Sequence, residues 1–216
     1  MTGGKRRSVL GQQPLFAPTV LVVTSAAAAV VVVLLGVAYA GHTEPGAFDS
    51  WVQPVATDSV NSAWAVAIAI DFLGEPRGSA LVMAALVIGF VVLRRWRSLA
   101  LALAGPGLTT LVTSAGKPLS DRIIHTVHLS YPSGHTAFVT AVTLVLVLPV
   151  AGRWRNGAVI VLIAALVAGF AAAWAQVGLN AHYATDTVGG FCAAVAIVPV
   201  TAVVIDRIAD RVKVNG

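Results

Sequence analysis

Two separate stretches collect the side chains able to work on a phosphate. One runs Gly116-Lys117-Pro118-Leu119-Ser120-Asp121-Arg122 and continues, eight residues on, as Tyr131-Pro132-Ser133-Gly134-His135; the other is Asn180-Ala181-His182-Tyr183-Ala184-Thr185-Asp186. On a helical turn, the i, i+4 spacing of His182 and Asp186 puts both on one face, about 5–6 Å apart at Cβ. A carboxylate at that range fixes one imidazole nitrogen as N–H and leaves the other lone pair free, which makes His182 a candidate nucleophile. His135 follows Pro-Ser-Gly at a helix start, where unpaired N–H groups and the positive end of the dipole favour an anion, and it is placed to protonate a leaving oxygen. Lys117 and Arg122 supply fixed positive charge, the main demand of phosphoryl transfer. Taken singly, each cation is more often a headgroup anchor; their shared placement raises the catalytic reading.

The elements that must carry these residues are membrane helices. Of 216 residues, 57% are hydrophobic and 11% charged, with mean hydropathy +0.86, which excludes an ordinary soluble domain. Runs long enough to cross about 30 Å of hydrocarbon predict an all-α integral membrane protein with six spans: Thr19 to Ala40, Gly78 to Leu93, Ser98 to Ala115, His135 to Val150, Gly157 to Val177 and Thr187 to Ile205. Val60 to Leu73, interrupted by Asp71 and closed by Gly74-Glu75-Pro76, is expected to lie at the interface after the first span. Residues 1–18 and 206–216 are then tails flanking a 19–205 membrane domain, with the chemistry within 116–190.

With both termini cytoplasmic, eleven of the fourteen Lys and Arg residues fall inside and seven of the nine carboxylates outside, as the positive-inside rule requires. Counting Val60 to Leu73 as a seventh crossing would scramble that asymmetry. All five histidines, His42 included, then lie on the extracytoplasmic side. The net charge of +5 therefore reads as topology and not as a nucleic-acid footprint. The single Cys192 sits in an apolar block, so an intrachain disulfide and a multi-cysteine metal site both drop out.

Tyr-Pro-Ser-Gly-His-Thr at 131–136, followed by His-Tyr-Ala-Thr-Asp-Thr-Val-Gly-Gly at 182–190, resembles the type 2 phosphatidic acid phosphatase superfamily, which includes vanadium haloperoxidases. The resemblance covers residues 78–205 and implies a helical bundle with its site at the extracytoplasmic end. It also implies roles: Lys117, Ser133 and Gly134 for phosphate contact, His135 as the acid, His182 as the residue that becomes phosphohistidine, and Asp186 behind it. No metal or cofactor is implied. The expected partners are a lipid phosphate and the membrane lipid itself, with no nucleic acid and with homo-oligomerisation left open.

Two arginines of the family pattern are missing. The first motif should place Arg at 124, where this chain has Ile124 followed by His125, and Arg122 matches only an extra arginine two positions earlier. The third motif should open Ser-Arg, where this chain has Ala175-Gln176. Each charge-assisted hydrogen bond that such an arginine would make to phosphate is worth about 1.5–3 kcal/mol. Three explanations stand: protonated His125 or His128 as accessory charge, a less charged phosphodiester substrate handled by a headgroup transferase, or a binding protein without turnover. The leading expectation is hydrolysis of a polyprenyl phosphate, a polyprenyl-linked sugar phosphate or a glycerophospholipid phosphate. A haloperoxidase is the weakest reading. Removal of His182 or Asp186 is expected to abolish activity without unfolding the bundle.

Overall fold

The computed structural model describes residues 18–151, 154 and 156–214. Lys5, Arg6, Arg7, Arg153 and Arg155, part of the orientation reading, lie outside the described residues, as does the N-terminal tail up to Ala17. The elements run α1 Pro18–Ala38, α2 Ala47–Ser62, α3 Trp64–Gly74, α4 Pro76–Val92, α5 Trp96–Ser120, β1 Ile123–Ile124, β2 His128–Leu129, α6 Gly134–Ala151, α7 Gly157–Gly178 and α8 Ala184–Val214.

Apolar runs with few breakers give the long helices, and the breaks have identifiable causes. Pro76 lacks an N–H and forces the residue before it out of the helical region, so Glu75 sits at φ −64°, ψ 153°, and α3 meets α4 at a 68° bend. Asp121 closes α5 in the left-handed conformation, φ 47°.

α8 forms the axis of the bundle and packs against α1, α5, α6 and α7. The main core joins Phe90 of α4, Leu101 of α5, Leu144, Val145 and Leu148 of α6, Val161 of α7 and Val198 of α8. Large apolar side chains on the outside, such as Val33, Leu34, Ile88, Leu162 and Phe170, form the surface suited to lipid. Arg97 pairs with Asp206 at 2.8 Å and Asp210 at 2.6 Å, fastening the start of α5 to the last turns of α8.

Among the described residues, four helices, α5 to α8, are each long and apolar enough to cross a membrane, and α3 with α4 makes a fifth if the bent pair is one span. The chain is thus a multi-pass helical membrane protein. The expected six spans took α4 alone as a crossing and counted α1, whose apolar portion Val22–Ala38 is shorter. Four further differences bear on the site. The segment after the first span is two helices, α2 and α3. α5 runs past Ala115, so Lys117 is helical. Residues 121–129 carry a small antiparallel hairpin, Ile123 opposite Leu129, within an otherwise all-helical fold. Residues 206–214 continue α8.

Candidate active site

The first turn of α8 builds the His-Asp pair from local rules. Tyr183 precedes the helix and Asp186 lies three residues on, so the Asp186 carboxylate accepts the Tyr183 N–H at 3.0 Å, half of a capping box. That same oxygen, Oδ2, faces His182 Nδ1 at 3.7 Å, and Nδ1 is buried with no nearer partner. The backbone N–H groups of Ala181 and His182 donate to the Gln176 carbonyl at 2.9 and 3.3 Å and close the loop from α7. Nδ1 is thus the ring nitrogen turned toward Asp186, and Nε2 the one turned away from it.

Behind this pair lies a polar network that sequence reasoning missed. Arg122 is fully buried; Nη1 donates to Asp186 Oδ1 and to Thr185 Oγ1, each at 2.6 Å, and Nη2 donates to Asp49 Oδ2 at 2.6 Å. Its guanidinium stacks between Tyr39, 4.2 Å to the ring centre, and Tyr183, 4.4 Å. Burial raises the Tyr183 phenol above its ordinary value, so that ring stays neutral. Asp49, on α2, also accepts the Thr185 N–H at 2.8 Å. In the structure both terminal nitrogens of Arg122, the arginine expected to hold phosphate, donate to carboxylates on α2 and α8. Asp186, whose removal was expected to leave the bundle folded, is likewise fully buried.

The loop before α6 is stitched to α8. Ser133 N–H donates to the Asp186 carbonyl at 2.9 Å, an approach open only because residue 190 is glycine: a Cβ there would lie 2.2 Å from the Ser133 carbonyl oxygen. The buried Ser133 hydroxyl bonds Thr136 Oγ1 at 3.2 Å and accepts its N–H at 3.4 Å. It caps α6, so the contact expected between this hydroxyl and phosphate is already taken up inside the protein. The first N–H groups of α6 have no intrahelical acceptor, and Gly134 and His135 line a cavity of about 400 Å³ between α4, α5 and α6. Lys117 lines the same cavity, its Nζ donating to the Leu129 carbonyl at 3.0 Å. His182 is near enough to His135 for their charges to interact, as Lys117 interacts with Asp186.

Gln176, which the sequence could not place, is buried and donates through Nε2 to Asp71 Oδ1 at 2.6 Å. Ile124 packs inside the hairpin base at 4% exposure. His125 and His128 are both exposed on the hairpin, with His125 Nε2 2.7 Å from the Asn180 carbonyl, and neither lines the cavity. The structure thus brings His182, Asp186, Ser133, Gly134, His135 and Lys117 to one end of the bundle and leaves the accessory histidines outside it. Asp71 and Glu75 join the site unannounced. Their carboxylates lie 3.5 and 3.6 Å from His135 Nε2, and one ligand atom from each of these three residues falls within 4.8 Å of the others. The signal for Asp71 was present, since it is a carboxylate within an apolar segment, where ionisable groups are costly.

Gly74 lets α3 reach His135. A Cβ at this position would sit 2.3 Å from Cδ2 of that ring. Gly74→Ala is expected to push the imidazole aside and to lower turnover at least about 100-fold while the helical circular dichroism is unchanged.

The fold and the site together define a multi-pass helical membrane protein whose paired imidazoles and lysine meet at one end of the bundle. The chain belongs to the PAP2 superfamily, whose family model matches residues 78–209. It is similar in fold to a structure described as the first transmembrane PAP2 type phosphatidylglycerolphosphate phosphatase from Bacillus subtilis. The identity is 18%, the TM-score 0.62, and the match covers 87% of this chain and 96% of the other. No curated protein sequence matches.

Proposed function

We propose that this protein is a lipid phosphate phosphatase that works without a metal through a phosphohistidine on the extracytoplasmic face. The observation that carries the reading is the convergence of the His182–Asp186 pair with Gly134, His135 and Lys117, in a member of this superfamily. The phosphate of a polyprenyl or glycerophospholipid monoester or pyrophosphate enters between α4 and α5, its ester oxygen toward His135. Lys117 and the first N–H groups of α6 hold the phosphoryl oxygens. His182 Nε2 attacks phosphorus as the P–O bond to the lipid breaks, Asp186 steadies the imidazolium, and His135 gives its proton to the leaving oxygen. Water then attacks the phosphohistidine, passing a proton to His135; inorganic phosphate leaves and His182 is restored.

A second reading, transfer of a phosphoryl or phosphatidyl headgroup, draws support from Gln176 and Ile124. These positions add no positive charge, which suits a phosphorus bearing less negative charge than a monoester. Purified protein in detergent, given a panel of lipid phosphates, separates the two. Inorganic phosphate with dephosphorylated lipid is the expected product pair. A new diester lipid without phosphate would replace hydrolysis with transfer, and lipid binding with no product would leave a binding protein.

A further inference from the structure

The second histidine has a carboxylate partner of its own. Asp71, in the last turn of α3, directs Oδ1 at His135 Nε2 from 3.5 Å, and Glu75, four residues on, brings Oε1 to 3.6 Å of the same nitrogen. Nε2 is buried and has no closer acceptor. The Asp71 carboxylate is itself held, since Gln176, 1% exposed, donates an amide N–H to the same Oδ1 at 2.6 Å. Glu75 stands at the bend before Pro76, and Gly74 lays the helix end directly against the ring. Thus α3, α6 and α7 all converge on one imidazole, and the His182–Asp186 arrangement on α8 has a counterpart.

We infer that Asp71 is a positioning residue for His135, orienting the imidazole that protonates the leaving oxygen, and that Gln176 must be uncharged to leave the Asp71 carboxylate available to it. This rests on the phosphatase reading above. The physical reason is that a guanidinium at 176 would lie within ion-pair reach of Asp71, and a bidentate pair would draw the carboxylate from the imidazole. The amide of Gln176 orients the carboxylate and leaves its charge directed at His135. Lys117 and His182 are the other charged or titratable groups facing this ring, and Glu75 shares the acceptor position with Asp71.

The chemistry of acid catalysis supplies a readout that a structural role would not move. An alkyl phosphate needs its leaving oxygen protonated, whereas p-nitrophenolate leaves readily without a proton. Asp71→Asn, Asp71→Glu, Gln176→Arg and His182→Ala are compared with the parent, each as purified protein in detergent, on dioctanoyl phosphatidic acid and on p-nitrophenyl phosphate. Asp71→Asn is expected to lower kcat on the lipid about 100-fold with KM changed less than about 3-fold, and to keep most of the rate of the p-nitrophenol burst, which reports phosphorylation of His182 before water attacks. Asp71→Glu is expected to restore part of the lipid rate. Gln176→Arg should behave like Asp71→Asn, and His182→Ala should lose both esters.

If Asp71→Asn slows the lipid reaction and the p-nitrophenol burst equally, or neither, the inference falls while the phosphatase stands. A parent rate that collapses in EDTA and returns with Mg²⁺ would also overturn it, by making Asp71, Glu75 and His135 ligands of a cation. A parent protein releasing phosphate from neither ester would remove the phosphatase reading, and this inference with it.

Discussion

His182→Ala is expected to reduce lipid phosphate hydrolysis by about 10⁴-fold or more, with the thermal unfolding midpoint in detergent close to that of the parent. Removing a nucleophile closes the covalent route altogether, and what remains is the smaller acceleration from binding and charge. The bundle tolerates the substitution because His182 Nδ1 makes no contact shorter than 3.7 Å and the loop is held by backbone bonds to Gln176, which alanine retains. A rapid quench after mixing with ³²P-labelled lipid should trap label on the parent protein through a phosphoramidate bond, labile to acid and stable to base. A variant that hydrolyses at the parent rate would eliminate His182 as nucleophile.

Arg122→Met is expected to destabilise the protein by about 3–5 kcal/mol, the cost of leaving buried carboxylates without their counter-charge. Asp49 and Asp186 are both fully buried, and this guanidinium bridges them. The thermal unfolding midpoint should fall sharply, and activity should fall with it because Asp186 would no longer be fixed beside His182. Adding Asp49→Asn to Arg122→Met should recover part of the stability by removing one of the stranded charges. A role for Arg122 as a ligand of phosphate leads to the opposite pattern: KM raised with unfolding unchanged. Asp186→Ala is expected to destabilise as well, contrary to the sequence-based expectation, since it strips Arg122 of one partner and Tyr183 N–H of its acceptor.

Several features were legible without coordinates because their causes are local. A mean hydropathy of +0.86 makes the chain a membrane protein whatever its detailed packing. The pairing of His182 with Asp186 and the Ser-Gly-His helix start depend on the capping of a helix's first turn, which a few neighbouring residues dictate. The break at Pro76 was readable for the same reason, although its use in bringing Asp71, Gly74 and Glu75 to His135 was not.

The contents of the site beyond those motifs depend on contacts far apart in the chain. Arg122 meets Asp49 across 73 positions and Asp186 across 64, and Gln176 meets Asp71 across 105. No local pattern separates an arginine that touches substrate from one that neutralises two buried aspartates, because both need the same residue type at the same end of the bundle. The sequence by itself determined the membrane class, the superfamily and the two imidazoles with their flanking motifs. Only the tertiary structure decided which charges are spent inside the protein and which face the cavity, since charges out of water are arranged by whichever partners the packed helices deliver to them.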